Sequence, residues 1–122
     1  ISCDVTVGRR FPGGLRPLTN VRLVAHQNFR LFQTAIMFFK KCKCVSMPRH
    51  LREQLDRASA SISCNIGEGY GRISKLDKRR FYRIALGSTR ECRTLLILAE
   101  HEDPELMGML DFLGGGLYKL SR

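Results

Sequence analysis

The sequence predicts an all-α protein, an antiparallel up-down-up-down four-helix bundle. Three observations carry that expectation. Apolar residues recur every three or four positions through four separate stretches, the repeat of an amphipathic helix. No segment alternates with period two, so no strand is expected. The connections between the stretches are short, which makes consecutive helices antiparallel neighbours. A chain of 122 residues, 43% of them hydrophobic, is the size of one domain and long enough to bury a core. With no Trp and only 8% aromatic residues, Leu, Ile, Phe and Ala must build that core.

Residues 1–20 are expected to be an irregular arm, and residues 21–122 the bundle domain. Pro12, Gly13, Gly14 and Pro17 break both helix and strand. The first helix is expected from Val21 to about Cys44, with Phe29, Phe32, Ala35, Ile36, Phe39 and Cys42 as its stripe. Pro48 suits the first turn of the second helix, where its missing N–H costs nothing. That helix should run from Pro48 to Glu68 on a stripe of Leu51, Leu55, Ala58, Ile62 and Ile66. Ser59, Ala60, Ser61, Ser63 and Cys64 beside it are small enough to admit a close neighbour. Gly67, Gly69 and Gly71 read as its exit.

Ser74 ahead of Asp77 resembles a capping box and opens a third helix, Lys75 to about His101. Its stripe is Phe81, Ile84, Ala85, Ser88, Cys92, Leu95 and Ala99. The run from Leu95 to Ala99 is apolar all round, which implies burial in the bundle or at a subunit contact. Asp103, Pro104 and Glu105 supply a cap, a first-position Pro and an acidic first turn. The fourth helix follows on Leu106, Leu110, Leu113, Leu117 and Leu120. Gly114, Gly115 and Gly116 inside it each cost about 1 kcal/mol relative to Ala. Either the helix kinks there or another helix comes close.

Twenty-one Lys and Arg against eleven Asp and Glu leave a net charge of +10. Residues 1–95 carry 19 basic and 6 acidic residues, and residues 96–122 carry 2 and 5. Such a surface attracts polyanions. The densest cluster is Arg72, Lys75, Lys78, Arg79, Arg80 and Arg83, at the loop into the third helix. Cations in a first helical turn oppose the helix dipole, so stability alone would not place them there. Tyr70 and Tyr82 flank the cluster and could stack on unpaired bases or simply pack. A second basic set is Lys40, Lys41, Lys43, Arg49, Arg52 and Arg57. A phosphate-contacting face and a plain solvated surface both remain open for these residues.

Chemistry beyond binding has little support. There is no phosphate-cradling G-x-x-x-x-G-K-[ST] loop and no H-E-x-x-H helix. His50 and Glu68 stand eighteen residues apart, about five turns along one helix. Cys3, Cys42, Cys44, Cys64 and Cys92 do not repeat at metal-site spacing. They read as reduced thiols, with Cys64 and Cys92 as small core residues. No catalytic residue, cofactor or metal is expected. Residues 1–20 hold no continuous apolar run and no stretch reaches the length of a membrane span, so a cytoplasmic location is the expectation.

Residues 48–99 carry a family resemblance. Asn65-Ile66-Gly67-Glu68-Gly69-Tyr70-Gly71-Arg72, a basic Ser-Lys segment and Ile84-Ala85-Leu86-Gly87-Ser88-Thr89-Arg90-Glu91 resemble the four-helix-bundle proteins encoded in bacterial 23S rRNA intervening sequences. Gly67 departs from the Ala usual at that position and should loosen the last turn of the second helix. Weaker matches extend the resemblance over residues 25–122. The same superfamily looks to include the accessory variability determinant of diversity-generating retroelements, a basic bundle assembling into a pentameric barrel. The resemblance implies a homopentamer that binds RNA or DNA, with a reverse transcriptase as a protein partner. Asn65, Glu68, Gly69 and Gly71 of the family motif read as structural. Asn65 falls on or beside the apolar stripe, three residues after Ile62. A buried amide there must satisfy its hydrogen bonds and would pin helix register. Glu68 would pair with Arg72 or another Arg in a partly buried ion pair. The alternative is a protein–protein adaptor with no nucleic-acid role, docking through residues 95–99 and the glycines at 114–116.

Overall fold

The computed structural model describes the backbone of residues 21–122 and the side chains of residues 29–122. The arm expected at residues 1–20 lies outside the described residues. Four helices follow one another: α1 (Val21–Cys42), α2 (Arg49–Gly71), α3 (Lys75–Leu98) and α4 (Pro104–Leu120). Among the described residues there is no strand. Each helix packs on the two beside it in a four-cornered arrangement, with α2 and α3 sharing the most extensive contact.

The helix boundaries follow local chemistry. Ser74 caps α3, its hydroxyl accepting from the amides of Leu76 and Asp77 at 3.1 and 3.3 Å. Asp103 caps α4 by accepting from the Leu106 amide at 3.1 Å, with Pro104 in the first turn. Pro48 is the N-cap of α2, one position ahead of the expected first turn. α3 ends where Glu100 enters the left-handed region at φ 55°. There the His101 amide donates to the Leu96 carbonyl and the Glu100 amide to the Ile97 carbonyl, both at 2.9 Å. This is a Schellman turn with Glu in the place that usually takes Gly.

One contiguous core fills the bundle. The α2 stripe is buried as expected: Leu51, Leu55, Ala58, Ile62 and Ile66. Leu106, Leu110, Leu113 and Leu117 do the same on α4. The α1 stripe is shifted from its expected register. Leu31, Ala35, Phe38 and Cys42 are buried, while Phe29, Phe32, Ile36 and Phe39 keep partial exposure. On α3, Tyr82, Leu86, Thr89 and Leu96 join Ala85, Ser88, Cys92 and Leu95, whereas Ile84 is exposed. Leu95 and Leu96 are buried, but Ile97 and Leu98 stand 46% and 61% exposed. The run that is apolar all round is therefore covered on one side only within this chain.

Two glycines explain how close the helices come. Gly67, Gly69 and Gly71 all lie inside α2, which continues past its expected stop at Glu68. A Cβ on Gly69 would sit 2.8 Å from the Tyr82 ring of α3. That tertiary contact outweighs the poor helix propensity of the glycines. A Cβ on Gly116 would meet Leu31 at 2.6 Å. So the α4 glycines serve close approach at Gly116, while α4 remains one continuous helix.

Candidate functional site

The topology sorts the charged side chains to two ends. The α1–α2 and α3–α4 connections share one end. The α2–α3 turn and the α4 C-terminus share the other. Each basic cluster read from the sequence falls at a different end, so the structure does not bring them together.

At the α1–α2 end the cations are engaged. Arg52 donates to Asp56 Oδ1 at 2.9 Å, to the Cys42 carbonyl at 3.0 Å and to the Val45 carbonyl. It thus closes the C-terminus of α1, where exposed carbonyls favour a cation. Lys41 pairs with Glu105 across to α4 at 3.1 Å, and Arg49 with Glu53 at 3.6 Å. Lys43 lies 4.9 Å over the Phe39 ring. Lys40 is exposed on α1. A shallow groove of ≈200 Å³ opens here, lined by Lys41, Cys44, Val45, His101, Asp103, Glu105 and Leu106, and its charges are mixed.

The α2–α3 end is different. Ser74 fixes the turn, and the first residues of α3 project Lys75, Arg79 and Arg83 along one face. Lys75 and Arg83 are exposed, and Arg79 reaches the Arg122 carbonyl at 3.5 Å. Lys78, beside that face, turns toward the end of α2. Its ammonium donates to the Tyr70 carbonyl at 2.9 Å and lies 5.5 Å from that ring, so it caps the C-terminus of α2. Arg72 and Arg80 lie 4.8 and 4.5 Å from the centroid of Phe81, which holds both guanidinium groups against one ring. A groove of ≈260 Å³ runs between Tyr70, Lys75, Lys78, Arg79, Tyr82, Leu120 and Arg122. Four cations line it and no Asp or Glu side chain does.

The motif residues hold α2 against α3. Asn65 donates through Nδ2 to the Ser61 carbonyl at 2.8 Å and to the Ser61 hydroxyl at 3.0 Å. Ser88 of α3 donates to the same hydroxyl at 2.8 Å. Asn65 therefore bears on register through Ser61, from a partly exposed position rather than a buried one. The expected Glu68–Arg72 pair forms at 2.9 Å, but both side chains are exposed, so it is worth little. Gly69 serves the Tyr82 contact; a Cβ on Gly71 would meet nothing within 4 Å.

Tyr82 is only 3% exposed, so its ring packs rather than stacks on a ligand; Tyr70 stays partly exposed. Burial pushes the Cys42 thiol up to about 12, Arg52 opposing the shift, and raises Cys92 as well. Buried thiols of this kind are poor nucleophiles. Cys64 is exposed, contrary to its expected core role. Among the described residues no group of three His, Cys, Asp or Glu side chains gathers to hold a metal. No helix there is long and apolar enough to cross a membrane.

Arg122 and Leu120 were missed as groove residues. The signal was available: in an up-down-up-down bundle the fourth helix must finish beside the second turn. Ile73 and Leu76 were missed too; they protrude from that turn, 97% and 69% exposed.

A family model described as 23S rRNA-intervening sequence protein matches residues 24–103. That span takes in α2 and α3 whole and ends at the cap of α4. No curated protein and no solved structure matches the chain.

Proposed function

This chain belongs to the 23S rRNA-intervening sequence protein family, and on that premise we propose that it is a basic, homo-oligomeric, nucleic-acid-binding accessory protein. The observation that carries the reading is the groove at the α2–α3 end, where Lys75, Lys78, Arg79 and Arg122 stand together with no Asp or Glu side chain among them. Phosphate is the ligand group such a site suits, and RNA or DNA supplies it repeatedly. The role is binding, not catalysis, in a cytoplasmic setting. A second copy of the chain is the covering proposed for Ile97 and Leu98. Repetition around a ring, five-membered by the resemblance, would multiply weak phosphate contacts. A reverse transcriptase of a diversity-generating retroelement is the further protein partner that the resemblance suggests.

The test is binding of labelled RNA and DNA across a salt series, with Lys75→Glu/Arg79→Glu/Arg83→Glu beside the parent. Affinity should fall steeply with salt, and the variant's slope should be shallower by about 2, from three lost cations at about 0.7 each on a single strand. Absence of binding to either nucleic acid at low salt would overturn the reading. The exposed Ile97 and Leu98 support a second reading, a protein–protein adaptor. Recovery of a salt-insensitive protein complex free of nucleic acid would favour it.

A further inference from the structure

We propose that the α2–α3 turn presents Ile73 and Leu76 to unpaired bases, so that the chain takes single-stranded nucleic acid in preference to duplex. This rests on the nucleic-acid reading above and deepens it by naming the form of the ligand.

Ile73 is 97% exposed and Leu76 is 69% exposed. They are held out by a built turn. Ser74, between them, accepts hydrogen bonds from the Leu76 and Asp77 amides, and Lys78 ties the start of α3 to the last carbonyls of α2. The two apolar side chains stand among cations. Arg72 precedes Ile73, Lys75 precedes Leu76, and Arg80 lies on the Phe81 ring beside Arg72. The nearest acids are Asp77 and Glu68, and Glu68 is paired with Arg72.

A ligand for this tip must offer apolar faces and negative charge at close spacing. Duplex nucleic acid offers the charge, but its base faces are hidden in the stack. A single strand offers both, since every unpaired base has an exposed face within one nucleotide of a phosphate. An anionic bilayer combines the same two chemistries, but attachment there scales with buried apolar area, and two side chains bury little.

The experiment measures fluorescence anisotropy of an oligouridine, an oligothymidine and duplexes of equal length, for the parent and Ile73→Ser/Leu76→Ser. The parent should bind single strands about tenfold more tightly than duplex. The variant should lose about that factor on single strands, keep its duplex affinity and keep its salt slope. Its melting temperature should not move; if it does, Ile73→Ser alone, at the more exposed position, gives the same discrimination. Equal, salt-dependent binding of single strand and duplex would overturn the base contact while leaving the phosphate-binding reading intact. No binding of any of these probes would overturn that broader reading. Vesicles of phosphatidylglycerol retained by the parent and lost by the variant, with single-strand affinity unchanged, would assign the tip to lipid instead. An oligomer that dissociates in the variant on sedimentation, again with unchanged single-strand affinity, would assign it to a subunit contact.

Discussion

At the end where α1 meets α2 and α3 meets α4, residues 40–57 and 100–105 bring six Lys and Arg together with six Asp and Glu. At the opposite end, residues 68–83 and 118–122 bring eight Lys and Arg against two acids. The two basic clusters look similar along the chain. Folding separates them, because α4 delivers its acidic first turn to one end and its basic last turn to the other. At the first end Arg52 closes a helix and Lys41 and Arg49 pair with carboxylates. At the second end, among the described residues, Arg72 alone pairs with a carboxylate side chain. Lys78, Arg79, Arg80 and Arg122 contact carbonyls or rings, and Lys75, Arg83 and Lys119 are exposed.

That contrast can be broken most directly by charge reversal. Lys75→Glu/Arg79→Glu/Arg83→Glu should weaken nucleic-acid binding by about a hundredfold or more at low salt. Lys40→Glu/Lys43→Glu/Arg49→Glu should change it by less than about threefold, in the same anisotropy titration. Comparable losses from both variants would mean that the neutralised end binds too.

Each end also has one structural cation, and these should differ in stability. Arg52→Met removes bonds to Cys42, Val45 and Asp56 and should cost about 1–3 kcal/mol in urea unfolding. Lys78→Met removes the cap on Tyr70 and Gly69 and should cost about 0.5–1.5 kcal/mol.

Alkaline pH sharpens the comparison further, because Cys42 belongs to the Arg52 end. Its thiol is raised from 9.0 to about 12 in the folded chain, so the folded state holds a proton that the unfolded state releases. This contribution is fully present below pH 9 and is lost as pH rises through 12, at up to about 1.4 kcal/mol per pH unit. Thermal melts of Cys42→Ala should show a shallower decline above pH 9 than the parent, with Cys92 sustaining the remainder. The smallest effect belongs to the α3–α4 turn. Glu100→Gly relieves a left-handed non-glycine residue and should raise stability by about 0.5–1 kcal/mol, measured by urea unfolding.

How much of this was legible in the sequence depended on how one-sided each pattern was. α2 has polar or small residues on its outer face, and the α4 leucines recur at a strict helical spacing, so the 3.6-residue period located the core directly in both. α1 is apolar on two adjacent faces, and Phe29, Phe32, Ile36 and Phe39 compete with Leu31 and Phe38 for the inner one. Period alone cannot choose between them; contact with α2 and α4 does. The glycines after Ile66 read as a stop because local propensity says so, yet Gly69 is helical where Tyr82 packs on it. The positions of the basic residues were legible, but their states were not. Lys41 meets Glu105 only because α4 folds back beside α1, and Lys78 turns to the end of α2. The aromatic company of Arg72 and Arg80 likewise exists only once α2 and α3 are side by side.

The uneven ends also govern how the molecule moves before it touches anything. α3 spans 24 residues, about 36 Å at 1.5 Å per residue. A surplus of charge at one tip and near balance at the other over such a length makes the bundle a permanent dipole. In the field of a polyanion it feels a torque as well as an attraction. The proposed encounter with nucleic acid should therefore be tip first, which would shorten the rotational search. Added salt should slow such capture by screening the field that turns the molecule.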